Sequence, residues 1–224
     1  PNGGRLNAII SPLAVDGRMV SIRKFRKDPF TPDELLGRGA FDKPMYALLN
    51  AMVRGRCNIL ISGGTSSGKT SLLNAMLGEI PPHERVVLVE DTPELRLPGA
   101  NGLGLVAVKG ELGEAKVTAN ELLQSALRLR PDRIVLGELR GAESVSFLRA
   151  INTGHPGSFS TIHANSLRGA LEQLALMVMQ TGIGLTRSDT IAYAASVIDV
   201  IVQLDRSDGR RGISAIARPG DILP

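Results

Sequence analysis

The sequence predicts an α/β protein, a mostly parallel and helix-covered sheet preceded by the remnant of a separate domain. Three observations carry this. From Pro44 onward, short apolar runs alternate with longer segments of helical character. The runs are apolar at consecutive positions, as in Arg85–Val89 (RVVLV), which is how strands covered on both faces read. One of them passes through a glycine-rich turn straight into a helix.

Taken in order, residues 1–27 read as two strands, Arg5–Ser11 and Met19–Phe25, around the turn-rich Pro12–Gly17. Two strands alone do not make a stable unit, so this piece is expected to be the end of a truncated N-terminal domain. The opening "PNGGRLNAII", without a Met, points the same way. The piece is basic, with six Lys and Arg against Asp16 alone. Residues 28–43 read as a linker, with Pro29, Pro32, Gly37 and Gly39. Inside it Thr31-Pro32-Asp33-Glu34 combines a capping box with proline at the first helical position, so a short helix starts there.

Residues 44–224 form the main domain. The pattern predicts a helix over 44–54, a strand over 57–62, a helix over 69–77 and a strand over 85–89. Short strands near Leu95 and over 105–108 follow. Thr118 and Glu121 cap a helix reaching about Leu129. Then come a strand over 133–136, a helix over 142–152, a strand over 158–162, helices over 167–180 and 187–195, and a strand over 197–204. The tail "LDRSDGRRGISAIA" reads as a hairpin turning at Asp208-Gly209.

Composition narrows the function. No apolar run approaches the ~18 residues that span a bilayer. The single cysteine, Cys57, excludes an internal disulfide and reads as a small apolar residue opening a strand. A net charge of +4 is too small to argue for an anionic partner. With no Trp and 3% aromatic residues, the chain lacks the stacking platforms of a single-strand nucleic-acid binder.

Residues 63–70, GGTSSGKT, fit the phosphate-loop pattern G-x-x-x-x-G-K-[ST] fully, with an apolar strand before and a helix after. In such a loop, backbone N–H groups at Gly63, Gly64, Thr65, Ser66, Ser67 and Gly68 curl around a β-phosphate. The helix N-terminus at Lys69, Thr70 and Ser71 adds partial positive charge. Lys69 reaches the β- and γ-phosphates, and the Thr70 hydroxyl goes to Mg²⁺. No N/T-K-x-D guanine motif occurs, so ATP is the expected nucleotide.

Two apolar strands end in carboxylates, one at Glu90-Asp91 and one at Glu138. A parallel sheet places its ligands outside the carboxyl ends of its strands. Hydrolysis of a nucleoside triphosphate needs an acidic group near Mg²⁺ and another to orient or deprotonate water. The aspartate usual just before the catalytic glutamate is replaced by Gly137. Either Mg²⁺ is held through water near Glu138, or Glu90 and Asp91 share that work, and Glu94 is a further inward candidate. Two of the three histidines, His155 and His163, are eight residues apart with no cysteine nearby, which is not a metal-site spacing. His163 falls at a strand's carboxyl end, where it can sense a γ-phosphate or an attacking water. His83 follows two prolines in a loop and reads as exposed.

The phosphate loop, "VEDTPEL" (Val89–Leu95), "LRLRPDRIVLGELRGAE" (Leu127–Glu143) and "TGHPGSFSTIHANS" (Thr153–Ser166) occur in that order. Together they resemble the secretion, or traffic, ATPase superfamily of type II and type IV secretion and type IV pili. That superfamily has a Walker A loop, an Asp box, an atypical Walker B with Gly before Glu, and a His box. The match covers about 44–204. "GRLNAIISPLAVDGRMVSIRKF" is similar to the end of the N-terminal domain of type IV secretion ATPases and of tight-adherence pilus ATPases. The segment around "FLRAINTGHPGSFSTIHANS" leans toward the secretion branch.

The resemblance implies a RecA-like domain in a homo-hexameric ring. It implies an Mg-dependent ATPase on the cytoplasmic face of the bacterial inner membrane, working with inner-membrane secretion or pilus proteins. Peripheral membrane contact would run through the N-terminal domain, and no sequence-specific nucleic-acid binding is expected. It makes Glu138 the general base, sets Glu90 and Glu94 in the Asp box and His163 in the His box. It also implies a phosphate contact from Arg23 or Arg26, while Arg140 is either another such contact or an ion-pair former. A phosphotransferase acting on a small molecule is the alternative of a different class; it lacks a mobile arginine-rich lid, the one arginine cluster (Arg206, Arg210, Arg211) lying near the C-terminus.

Overall fold

The computed structural model describes residues 4–24, 26, 28–97, 99–108, 116–207 and 209–223. The first strands, β1 (Arg5–Ile9) and β2 (Met19–Arg23), pair antiparallel as a sheet of their own. Both are shorter than the sequence predicts, and Phe25 lies outside the described residues. Helix α1 (Pro32–Gly37) begins at Thr31, whose capping box is complete in both directions. Helix α2 (Lys43–Arg54) starts one residue before the predicted position, from an Asp42 cap.

The remaining strands form one seven-stranded sheet in the order β5-β4-β6-β7-β3-β8-β9. They are β3 (Ile59–Gly63), β4 (Val86–Glu90), β5 (Gly102–Val106), β6 (Arg133–Leu139), β7 (Phe159–His163), β8 (Val200–Ser207) and β9 (Arg210–Ala217). Every pairing in it is parallel except β8 with β9. The hairpin turn falls where expected, with Gly209 at φ 78°; Asp208 lies outside the described residues.

Consecutive strand residues serve two cores. Leu60, Val87, Val89, Ile134 and Leu136 pack under α4 (Ala119–Ala126), α5 (Glu143–Asn152), α6 (Leu167–Met179) and α7 (Arg187–Val197). Ile59, Ile61, Val86, Leu88 and Val135 pack under α1, α2 and α3 (Lys69–Leu77) on the other face. This is why the runs show no alternation in sequence. A short 3₁₀ turn, Leu127–Leu129, completes what was expected to be the end of α4.

Strand bounds shift both ways: β5 falls earlier, at Gly102–Val106 in place of 105–108, and β8 later, at Val200–Ser207 in place of 197–204. β3, β4 and β7 start one or two residues late and run on to Gly63, Glu90 and His163. β6 runs on to Leu139, so Glu138 lies inside it. The pairing between β6 and β7 slips between Leu136 and Leu139, a bulge that Thr161 supports by donating its hydroxyl to Gly137 O at 2.8 Å. Bulges re-aim side chains, and this one contains Glu138. No strand forms at Leu95. The N–H groups of Glu94 and Leu95 instead donate to Glu90 Oε1, at 2.9 and 3.0 Å.

Candidate active site

The phosphate loop leaves β3 at Gly63 and enters α3 at Lys69. Gly68, the N-cap, sits at φ 103° and offers no side-chain cap, so the first N–H groups of α3 stay available to an anion. Gly63 tolerates no side chain, because a Cβ there would stand 2.4 Å from Ser67 Oγ and 2.7 Å from Leu204 O. Lys69 is buried and folds back on its own loop, donating to Gly63 O at 2.7 Å and Gly64 O at 2.9 Å. Burial lowers its pKa, and the Glu138 carboxylate works against that shift.

Facing the loop, β6 and β7 bring Glu138 and His163 together. His163 Nε2 lies 2.7 Å from Glu138 Oε1, an ion-pair separation, and Nδ1 lies 3.3 Å from Lys69 Nζ. An ammonium can only donate, so Nδ1 accepts and the neutral ring carries its proton on Nε2, toward Glu138. Burial and the Lys69 charge lower the His163 pKa, with Glu138 opposing. In the nucleotide-free chain, the His163 ring is therefore expected to titrate below the ordinary histidine range. Lys69→Met should raise the midpoint and Glu138→Gln should lower it further, both readable by NMR of the imidazole carbons. A midpoint indifferent to both substitutions would mean that the three groups do not interact.

Arg140 closes the far side. Its Nε donates to Glu138 Oε2 at 2.6 Å and its Nη1 to Asp91 Oδ2 at 2.9 Å. Of the two roles the sequence left open for Arg140, the geometry shows the ion pair. Burial opposes its charge, but the two carboxylates outweigh burial and raise its pKa.

Gly137 also acquires a reason. β4 lies next to β6, and a Cβ at Gly137 would come within 3.2 Å of Glu90 Cγ. Glu90 thus occupies the space where a side chain at 137 would stand. It is buried and ties down the turn after β4 through the Glu94 and Leu95 N–H groups. Glu94 faces Arg23, whose Nη2 lies 3.9 Å from Glu94 Oε2.

The two arginines at the basic end separate. Arg23 reaches the cavity, whereas Arg26 is held elsewhere, donating to Glu34 at 2.7 Å with its guanidinium over the Phe30 ring. The geometry thus gives no support to Arg26 as a phosphate contact. His155 is not at this site either. It precedes β7, at the amino-terminal ends of the strands, with Nδ1 2.9 Å from Pro131 O. His83 is exposed, as expected. Cys57 is half-buried ahead of β3, and burial raises its thiol pKa.

These groups surround a cavity of about 360 Å³, which also takes in Thr70 and Ser71. Ser67 Oγ is buried here with no hydrogen bond within the protein, and Glu138 Oε1 meets only the His163 ring. Buried polar atoms are seldom left so. With a donor loop on one side and carboxylates on the other, both fit a magnesium nucleotide. Two lining residues, Thr161 and Arg211, were not foreseen as belonging here. Thr161 lay unmarked in the His segment, and Arg211 reaches the cavity only through the pairing of β8 with β9.

The type II/IV secretion system protein family matches residues 1–210. The chain is 44% identical over 252 residues to the type IV secretion system protein VirB11 of Bartonella quintana, covering 96% of this chain and 71% of that protein. It is 40% identical over 220 residues to a putative conjugal transfer protein of Mycobacterium tuberculosis, covering 95% and 60%. Among solved structures, the VirB11 ATPase of the Brucella suis type IV secretion system, in complex with sulphate, superposes with a TM-score of 0.73 at 31% identity. That match covers 99% of this chain and 72% of the other. The chain thus spans roughly three fifths to seven tenths of these proteins' lengths.

Proposed function

The chain belongs to the type II/IV secretion system protein family and is an ATPase, and from that premise we propose that it is the catalytic part of a ring motor for type IV secretion or conjugative transfer. The observation that carries this reading is the convergence of Lys69, Glu138 and His163 on one cavity at the carboxyl ends of β3, β6 and β7. Residues 44–224 are the motor domain in this reading. Residues 28–43 are a linker, and 1–27 the end of a further domain.

Each residue then has a task. The loop N–H groups and Lys69 hold the phosphate chain of ATP, Lys69 exchanging two backbone carbonyls for phosphate oxygens. Thr70 and Glu138, the latter through water, are the groups that would hold Mg²⁺, which neutralises charge building on the phosphates. Glu138 takes a proton from the attacking water, and His163 with Arg140 keeps its carboxylate in place. Glu90 is a positioning residue that fixes the loop carrying Glu94. Arg23 lies on a hairpin outside the main sheet, so a movement of that hairpin would add or withdraw a cation at the cavity.

Assembly as a homo-hexamer and attachment to inner-membrane secretion proteins at the cytoplasmic face belong to the same proposal. Among the described residues, no helix is long and apolar enough to cross a membrane. Drive of a tight-adherence or type IV pilus assembly is the nearest alternative task for the same site.

Product analysis separates hydrolysis from phosphoryl transfer. Incubated with ATP and Mg²⁺, the chain should release phosphate and ADP in equal amounts, and chelation of Mg²⁺ should stop both. ADP forming in excess of free phosphate would favour a phosphotransferase.

A further inference from the structure

The cluster Arg206, Arg210 and Arg211 has no part in the site so far, and the sheet order shows where it goes. β8 runs beside the phosphate-loop strand, with Leu204 opposite Gly63, and β9 lies outside β8. Glu138 and His163 stand on the other side of β3, on β6 and β7. The hairpin register sets Arg206 directly opposite Arg211. Like charges so placed repel. The nearby Asp205 accepts from Gln203 Nε2 at 3.2 Å instead of serving either arginine.

Three arginines line the cavity among the described residues. Arg140 holds Glu138 and Asp91, and Arg23 faces Glu94. The Arg211 side chain is exposed at the rim and, among the described residues, makes no hydrogen bond or ion pair. An unpartnered guanidinium, pressed by a second one across the hairpin, is set to receive an anion.

We propose that Arg211 binds the nucleotide at its nucleoside end, through the α-phosphate. This rests on the reading of the cavity as a nucleotide site. Lys69, Glu138 and His163 mark the end where the terminal phosphate is cleaved. The phosphate chain must lead away from them, and Arg211 is the cavity cation on the opposite side of β3. A guanidinium matches phosphate oxygens in charge and geometry. A contact at the α-phosphate serves ATP and ADP alike, unlike one at the γ-phosphate.

The test is binding of fluorescent ATP and ADP analogues to the full chain. Arg211→Ala should weaken both by about tenfold, and by the same factor. Arg211→Lys should recover part of the loss, and Arg206→Ala should stay within about twofold of the parent. Unchanged affinity in Arg211→Ala would overturn the proposal. So would a loss confined to ATP, which would move the contact to the terminal phosphate, or an equal loss in Arg206→Ala, which would make it general attraction. Lys69→Ala keeps two failures apart. If it leaves affinity intact, the nucleotide reading of the cavity fails; if it abolishes binding while Arg211→Ala does not weaken it, only the role of Arg211 fails.

Discussion

Glu138→Gln should lower ATP turnover by about a thousandfold while leaving ATP affinity within about threefold of the parent chain. The substitution keeps the shape of the side chain. It keeps an acceptor for the Arg140 guanidinium, which otherwise turns to Asp91. What it removes is the capacity to take a proton, since an amide oxygen is not a base at neutral pH. Nucleotide affinity rests chiefly on the phosphate loop and Lys69, which the change leaves in place. The β6 bulge aims residue 138 through its backbone, so glutamine should point the same way. Turnover within tenfold of the parent would mean that another group activates the water. A matching collapse of affinity would mean that Glu138 chiefly holds the nucleotide's magnesium.

Arg133→Met should cost about 3–5 kcal/mol of folding stability, the loss expected when half of a buried ion pair is removed. Arg133 is wholly buried at the start of β6, at the end of the strand away from the cavity. Its Nε and Nη2 donate to the two oxygens of Glu84 at 2.5 and 3.0 Å, and its Nη1 donates to Val53 O at 2.7 Å. One side chain thus ties β6 to the last turn of α2 and to the loop before β4. Methionine fills much of the volume but leaves the buried Glu84 carboxylate with only the part-exposed Arg56, whose Nη2 lies 3.3 Å from Oε2. Arg133→Met/Glu84→Gln removes that buried charge and should recover part of the loss.

Acid changes this cost with a definite sign. Hydrogen bonding from Arg133 holds the Glu84 carboxyl below the usual carboxylate range, against the pull of burial. The stability it contributes is present above the ordinary carboxylate pKa and is lost as pH falls through it to the lowered value. The gap between parent and Arg133→Met should therefore narrow from pH 7 toward pH 3 in urea unfolding. A gap independent of pH would assign the loss to packing and not to the charge pair.

The sequence announces its helices more sharply than its strands, and the reason is chemical. Helices begin at residues that cap them. Thr31 and Thr118 fixed their helices to the residue, and Lys69–Leu77 lies where the phosphate-loop pattern put it. Strands buried on both faces carry no phase, so their starts drift by one to three residues. Their ends run on to a glycine and to charged or polar residues that look like loop in sequence: Gly63, Glu90, His163. Those residues are the site.

Contacts made across the sheet were not legible. Gly137 looked like a departure from pattern until β4 set Glu90 beside it. Arg23 and Arg26 were indistinguishable three residues apart, and only the Glu34 ion pair separates them. Arg211 gave no local signal, because its place depends on the pairing of β9 with β8 and of β8 with β3.

The most direct test of the motor reading is ATP turnover per chain, measured across a wide range of protein concentration. If subunits assemble to complete the site, turnover per chain should rise steeply with concentration and level off once assembly is complete. A flat profile, with full turnover in the most dilute sample, would show a self-contained monomeric site and contradict it.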